Sequence, residues 1–459
     1  MAIVKNMLVI FVCFLMLAAC DLNEKTTFEV LFPVEETRNV DLEFRNERAT
    51  LEFVLGDSLR KSVITIPVSG EQYARLWVGD MPYVIWLEAG KPWIAKFEGN
   101  QWYFAGKGAD VNNYLNKRYV ERIYFIDYYR IPNREFREKL DRVMGKREEA
   151  LREDVLNPRF VEQERKRLRY VKNNHLASAV VYGEVKDGKL DLSEDTYAEL
   201  QKAVIEDSAS WKIPEYRESM DRVMLALAKM KKLEGSFYDI SLEVLHGTIS
   251  TFKDERLIEY IVNKNVMAYM KALSVGTTGE MDSIFRKWVH QPILVEAYDN
   301  LCRANRKLEK GQPAVSFTFP DINGKEVSLS DFKGKYVYVD LWATWCGPCN
   351  AEIPSLKKLE EEFQGRNIYF VSISCDKSQD EWEKFVRERQ MGGIQLHMRG
   401  NNKYMEELGN NGVPRFLLID REGNFIDANM LRPSDPKTLK ILRANKGGLP
   451  AHIGVVGKL

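Results

Sequence analysis

The chain has 459 residues, and its 67 lysines and arginines balance 67 aspartates and glutamates for a formal net charge of zero. With that balance nothing points to nucleic acid, and mixed-sign stretches such as residues 134–149 read as solvated helix faces with i,i+4 pairs rather than as a polyanion site. The length allows two or three domains, and six cysteines in a chain this long do not make a disulfide-stapled secreted scaffold.

The amino terminus reads as an address. Lys5 is a minimal basic region, residues 7–19 are a short apolar segment, and Leu17-Ala18-Ala19-Cys20 closes it. Such a segment is too short to span a bilayer and reads as a signal peptide over residues 1–19. Its ending resembles a bacterial lipoprotein lipobox. That resemblance implies lipidation of Cys20 and attachment to a membrane outside the cytoplasm; an ordinary secretory signal cut nearby is the alternative.

Residues 20–27 form a polar tether. From 28 to 110 apolar residues alternate, as in Leu42/Phe44, Leu51/Phe53/Leu55 and Trp102/Phe104, between turn signals such as Gly79-Asp80 and Gly99-Asn100. This predicts a small antiparallel β-sandwich. Trp77, Trp86, Trp93 and Trp102 could line a groove, but large aromatics in short strands mostly fill cores. Over residues 111–310 the period becomes helical: Phe136, Leu140, Val143 and Met144 share one face, as do Met220, Val223, Met224, Leu227 and Met230. Pro132, Pro158, Pro214, Gly235 and Gly276 divide this helical region into several amphipathic helices. His175, His246 and His290 are scattered in it and read as packed or surface residues, and Cys302 as a small buried apolar one.

Residues 311–459 form the last predicted domain, and they carry the chemistry. The apolar run Tyr336–Trp342 predicts a covered parallel strand, and it leads into a helix opening with Cys346-Gly347-Pro348-Cys349. Cys346 at a helix N-terminus faces unpaired N–H groups and the positive end of the helix dipole, which favour a thiolate. Cys349, one turn in, is then the resolving thiol. The competing reading of a CxxC pair is half a zinc site, which needs two further ligands. Cys302 and Cys375 are isolated, and the five histidines form no HxxxH pair. Further elements follow: a hairpin around Asn323-Gly324, strands at 368–374, 416–419 and from Phe425, and helices at 381–390 and 437–445. They predict a three-layer α/β arrangement.

Trp345-Cys346-Gly347-Pro348-Cys349, the lead-in Val339-Asp340-Leu341-Trp342-Ala343, Glu352-Ile353-Pro354 and Gly412-Val413-Pro414 resemble the thioredoxin superfamily, and within it the TlpA/ResA-like thiol–disulfide oxidoreductases. The resemblance covers residues 311–445. It implies a C-terminal α/β thioredoxin-like domain, and with the periodicities above the chain reads as multidomain: an N-terminal antiparallel β-sandwich, a central α-helical region and that domain. It implies attack by Cys346 on a substrate disulfide, resolution by Cys349, and no cofactor beyond that redox-active pair. Two carboxylates stand where such enzymes keep a buried acid: Asp340 beneath the site and Glu352 on the active-site helix. Pro414 aligns with the superfamily's cis-proline, which leaves the Val413 backbone facing Cys346 to pair with a client strand. Trp345, Gly347 and Pro348 join the substrate surface. Arg415 replaces the usual threonine and is expected to lower the Cys346 pKa or favour acidic partners. Cys375 ends the neighbouring strand and could lie near the pair. The implied partners are disulfide-bearing client proteins and, for a reductase, a membrane electron donor. The implied activity is reduction of protein disulfides. The alternatives are an oxidase or isomerase of exported proteins, or a surface binding lipoprotein that uses the domain as scaffold.

Overall fold

The computed structural model describes residues 25–44, 47–68, 70–117, 129, 131–153, 156–183, 185–186, 189–233, 235–273, 279–409 and 412–444. Cys20 and the leader lie outside the described residues. The chain divides into two units, Met1–Leu233 and Glu234–Leu459. The boundary falls between Leu233 and Glu234, inside the stretch 111–310 read as helical. The helices up to Pro214–Lys231 therefore go with the β-rich unit, and those from Phe237–Thr251 onward go with the C-terminal sheet.

In the first unit the strands are β1 (Lys25–Pro33), β2 (Val40–Phe44), β3 (Glu47–Thr50), β4 (Val54–Leu55), β5 (Leu59–Pro67), β6 (Glu71–Val78), β7 (Met81–Glu88), β8 (Trp93–Glu98) and β9 (Gln101–Gly106). They make two sheets, ordered β4-β5-β1-β8-β9 and β3-β2-β6-β7. Alternation points Phe28, Val30 and Phe32 of one sheet and Val40, Leu42 and Phe44 of the other into a shared core. The pairs are antiparallel except β1 with β8, which run parallel. Residues 51–53, expected as strand, instead carry the chain from one sheet to the other, while Leu51 and Phe53 still pack on the core. Trp86, Trp93 and Trp102 are buried, and Trp77 lies under the Arg48 guanidinium at 4.2 Å.

The helix Ala109–Leu115 closes the far edges of both sheets. Asn112 accepts from the Trp86 N–H at 2.7 Å and donates to the Trp86 carbonyl at 3.1 Å on edge strand β7. Asn113 does the same for Phe104 on edge strand β9, at 3.0 and 2.9 Å. Each amide side chain imitates a backbone unit and satisfies strand groups that would otherwise template another strand. The helices Asn133–Glu153, Pro158–Tyr182, Thr196–Ala203 and Pro214–Lys231 complete the unit, with a small hairpin of β10 (Val185–Lys186) and β11 (Lys189–Leu190). Phe136, Leu140, Val143 and Met144 are buried, as their spacing predicts.

The second unit begins with the helices Phe237–Thr251, Glu255–Leu273, Gly279–Trp288 and Pro292–Arg306. A hairpin of β12 (Thr318–Pro320) and β13 (Glu326–Ser328) follows, turning through Gly324 at φ +79°. A five-stranded sheet then forms in the order β16 (Ile394–His397), β15 (Ile368–Ser374), β14 (Tyr336–Trp342), β17 (Arg415–Ile419), β18 (Phe425–Met430). β14, β15 and β16 are parallel; β17 runs antiparallel to β14, and β18 antiparallel to β17. Helices Gly347–Glu362, Gln379–Glu388, Lys403–Glu407 and Pro436–Ala444 surround it. β16 and the Lys403–Glu407 helix have no counterpart in the sequence reading, because each is about one short run long and flanked by glycine or polar residues.

Candidate active site

Central strand β14 is apolar on both faces apart from one residue. Val337, Val339 and Leu341 enter one core, while Tyr338 packs with Leu356 and Leu359 of the Gly347–Glu362 helix and with Phe363 at its C-cap. Trp342, on the Tyr338 face, packs with Cys346 and Cys349. Period two therefore places Asp340 between Tyr338 and Trp342, on the face covered by the active-site helix.

Cys346 is the N-cap of that helix, and its Sγ accepts the Cys349 N–H at 3.2 Å. Cys346 and Cys349 are joined as a disulfide, with Cα atoms 5.3 Å apart. Both are nearly buried, whereas Gly347 and Pro348 are exposed and Trp345 is 71% exposed. Val413 packs on the cysteine cluster, and the Val413–Pro414 peptide is cis. An incoming sulfur thus meets a rim of Trp345, Gly347 and Pro348, with the 413–414 loop against the same cluster. Cys375, half-buried, also joins that cluster; burial and the Asp376 charge push its thiol pKa up.

The two candidate acids differ. Asp340 is 7% exposed and receives one long bond, from the Ser372 hydroxyl at 3.4 Å. Burial, against that bond and with the charges of Glu352 and Glu360, pushes its pKa up to about 7. Glu352 is equally buried but held: the Ser434 N–H and hydroxyl each donate to it at 2.9 Å, and Arg432 lies 3.9 Å away. Ser434 belongs to a Ser-Asp-Pro run that reads as a helix start, so nothing in it marks a carboxylate clamp. A third acid, Glu360, is also raised to about 7, mainly by burial. Its signal was present: 352, 356 and 360 share one helix face.

Arg415 corrects the expectation placed on it. Its side chain is 5% exposed and donates to the Ala428 carbonyl at 3.0 and 2.7 Å and to the Leu408 carbonyl at 2.8 Å. Burial lowers its pKa to about 10. The guanidinium ties β17 to β18 and to the chain after the Lys403–Glu407 helix; it offers no surface charge to an acidic partner. Position 415 starts an edge-to-centre strand, and strand alternation turned the side chain inward.

Among the described residues no cluster of three His, Cys, Asp or Glu side chains is disposed to hold a metal ion. The arrangement can exchange disulfides: a helix N-terminus to stabilise a thiolate at Cys346, a second sulfur one turn behind, and a buried acid able to hold a proton near neutral pH.

Residues 310–431 match the AhpC/TSA family. A thiol–disulfide oxidoreductase ResA from Bacillus thuringiensis is 27% identical over 129 residues, covering 28% of this chain and 74% of the relative. The ResA of Halalkalibacterium halodurans is 24% identical over 182 residues, or 37% of this chain and 91% of that protein. Among solved structures, a thiol:disulfide interchange protein from Bacteroides sp. is 31% identical over 31% of this chain and 93% of its own, with a TM-score of 0.29. The C-terminal region is thus a thioredoxin-like domain of the AhpC/TSA family, similar to the ResA/TlpA-like thiol–disulfide oxidoreductases.

Proposed function

We propose that the protein is a lipid-anchored, extracytoplasmic reductase of protein disulfides. The single observation that carries the chemistry is the Cys346–Cys349 pair at a helix N-terminus, with the Cys349 N–H directed at Cys346 Sγ. The Cys346 thiolate attacks one sulfur of a client disulfide, forming a mixed disulfide and releasing one client thiolate. The Cys349 thiolate then attacks Cys346 Sγ, closing the protein's own disulfide and releasing the second client thiolate. Two electrons pass to the client, and Asp340 takes the proton that Cys349 must lose. The Val413 backbone beside the cis-proline pairs with the client strand. Trp345, Gly347 and Pro348 form the rest of the docking rim. A membrane protein relaying electrons to the Cys346–Cys349 disulfide completes the cycle.

The location rests on Lys5, the apolar 7–19 segment and Leu17-Ala18-Ala19-Cys20, with the lipid on Cys20. The direction rests on the Gly-Pro dipeptide, shared with thioredoxin at about −270 mV against about −120 mV for DsbA. The test is the midpoint potential of the pair in defined thiol buffers, with Cys302 and Cys375 replaced by serine. A value at or below about −250 mV supports a reductase; one above about −180 mV makes the protein an oxidant or isomerase. A pair that does not exchange at all removes the enzyme reading and leaves a binding lipoprotein.

A further inference from the structure

Asp376 lies just past the end of β15 and is 2% exposed. Its carboxylate accepts the Thr344 N–H at 3.0 and 3.2 Å, the Thr344 hydroxyl at 2.8 Å and the Ser374 hydroxyl at 2.6 Å. The register explains the meeting. Trp342 on β14 is paired with Ser374 on β15, and the Cys375 N–H continues the ladder to the Trp342 carbonyl at 3.0 Å. Two residues further on, Thr344 and Asp376 stand side by side. Thr344 is held from its other end as well, because its carbonyl accepts the Asn350 side chain at 2.9 Å. Asn350 is in the first turn of the active-site helix.

Between this clamp and the reactive sulfur there is one residue, the exposed Trp345. The Cys346 N–H turns back to the Ala343 carbonyl at 3.1 Å, so the loop 343–346 is a tight turn that the Thr344 side chain anchors. The disulfide supplies a second restraint on Cys346, and that restraint vanishes when the pair is reduced. The Asp376 bonds do not involve sulfur.

We propose that Asp376 is a positioning residue for disulfide exchange: by gripping Thr344 it keeps Cys346 at the helix N-terminus, aligned for attack after its bond to Cys349 has opened. The proposal rests on the reading of Cys346 as the attacking sulfur.

The experiment uses the full chain, reduced, with Cys302 and Cys375 as serine. It measures the pH dependence of Cys346 alkylation by iodoacetamide, together with kcat and KM for reduction of a model protein disulfide. Asp376→Asn replaces one accepting oxygen by a donor and is expected to slow both reactions about 10- to 100-fold, through kcat rather than KM. It is also expected to move the alkylation midpoint to higher pH, as Cys346 loses its alignment with the helix N–H groups. Thr344→Val removes one of the gripped donors and gives a smaller change in the same direction. The double variant is no worse than Asp376→Asn alone, since both break the same contact. Ser374→Ala, which leaves Thr344 gripped, keeps the wild-type alkylation midpoint. An Asp376→Asn protein with wild-type thermal unfolding and an unchanged pH–rate profile overturns the proposal. If that variant does not fold, Thr344→Val decides alone, and an unchanged profile there overturns it equally. Cys346→Ser separates the two readings: if it still exchanges, the attacking-sulfur assignment fails; if it is dead while Asp376→Asn is normal, only the positioning role fails.

Discussion

Buried charge is handled in opposite ways in the two units. In the first, Glu164 takes two bonds from Arg167 at 2.7 Å and one from the Tyr73 hydroxyl at 2.8 Å. Arg167 reaches on to Glu215 at 3.0 Å, and Arg75 meets Glu215 at 3.5 Å and Glu218 at 2.6 Å. Burial opposes ionisation of Glu215, but Arg167 and Arg75 outweigh it, so its pKa stays below the usual range. Burial likewise works against Arg75 and Arg167, and the surrounding carboxylates hold both well above it. Sheet and helices within that unit are joined by these paired charges. Beneath the disulfide, Asp340 has one long hydroxyl bond and like-charged neighbours, and its pKa reaches about 7. The buried acids of the first-unit network are held by cations, whereas among the described residues Asp340 has no cation partner and its carboxyl pKa is pushed up.

The largest effect expected is at the sulfurs. Cys346→Ser abolishes reduction of a model protein disulfide, and Cys349→Ser leaves the client trapped on Cys346, visible as a mixed disulfide on a non-reducing gel. Next comes the paired network. Arg167→Met strands Glu164 and Glu215 and should destabilise the chain by about 3–5 kcal/mol in urea unfolding. The reduction rate at the disulfide should not change, and a matching loss of exchange would dissolve the contrast between the two units.

Asp340→Asn probes the unpaired side. In the folded chain Asp340 titrates near 7 against an ordinary 3.8, so it holds its proton more tightly folded than unfolded. Its stabilising contribution is complete below about pH 4 and is lost as pH rises through about 7. Glu360 runs in the same direction. Asp340→Asn should therefore be more stable than wild type at pH 8, by on the order of 2–4 kcal/mol, and the gap should close at pH 4. Exchange should slow about a hundredfold, with the inflection near pH 7 removed from the rate profile. A variant that keeps that inflection would assign it to another group. Ser434→Ala is smaller: loss of one hydroxyl bond to a buried carboxylate should lower stability by about 1–3 kcal/mol. Cys375→Ser should leave the exchange rate unchanged, and any loss would draw this third thiol into the reaction.

Much of the C-terminal domain was legible because its signals are local. The strand Tyr336–Trp342 and the strand Ile368–Ser374 end where the apolar runs end. Cys346 caps its helix as its place before Gly-Pro suggests. The β-rich stretch was legible as period two, yet the parallel partnership of β1 with β8 was not. Pairing direction depends on which strands meet, and alternation is the same for either direction. Arg415 was misjudged for a related reason: its neighbours in sequence are active-site residues, but its side chain belongs to the β17–β18 layer.

The sequence by itself determined the reactive pair, the helix that presents it, the acid set within an apolar strand and the alternation of the sandwich. These follow from residue type and spacing over a few positions. Only the tertiary structure decided that Glu352 is clamped by Ser434 while Asp340 stands nearly alone, that Asp376 grips Thr344, that Arg415 is buried, and that the helical stretch divides between Leu233 and Glu234. Each of those depends on residues far apart in the chain arriving in one low-dielectric place, where a single hydrogen-bond partner sets whether a charge is held or free to take a proton.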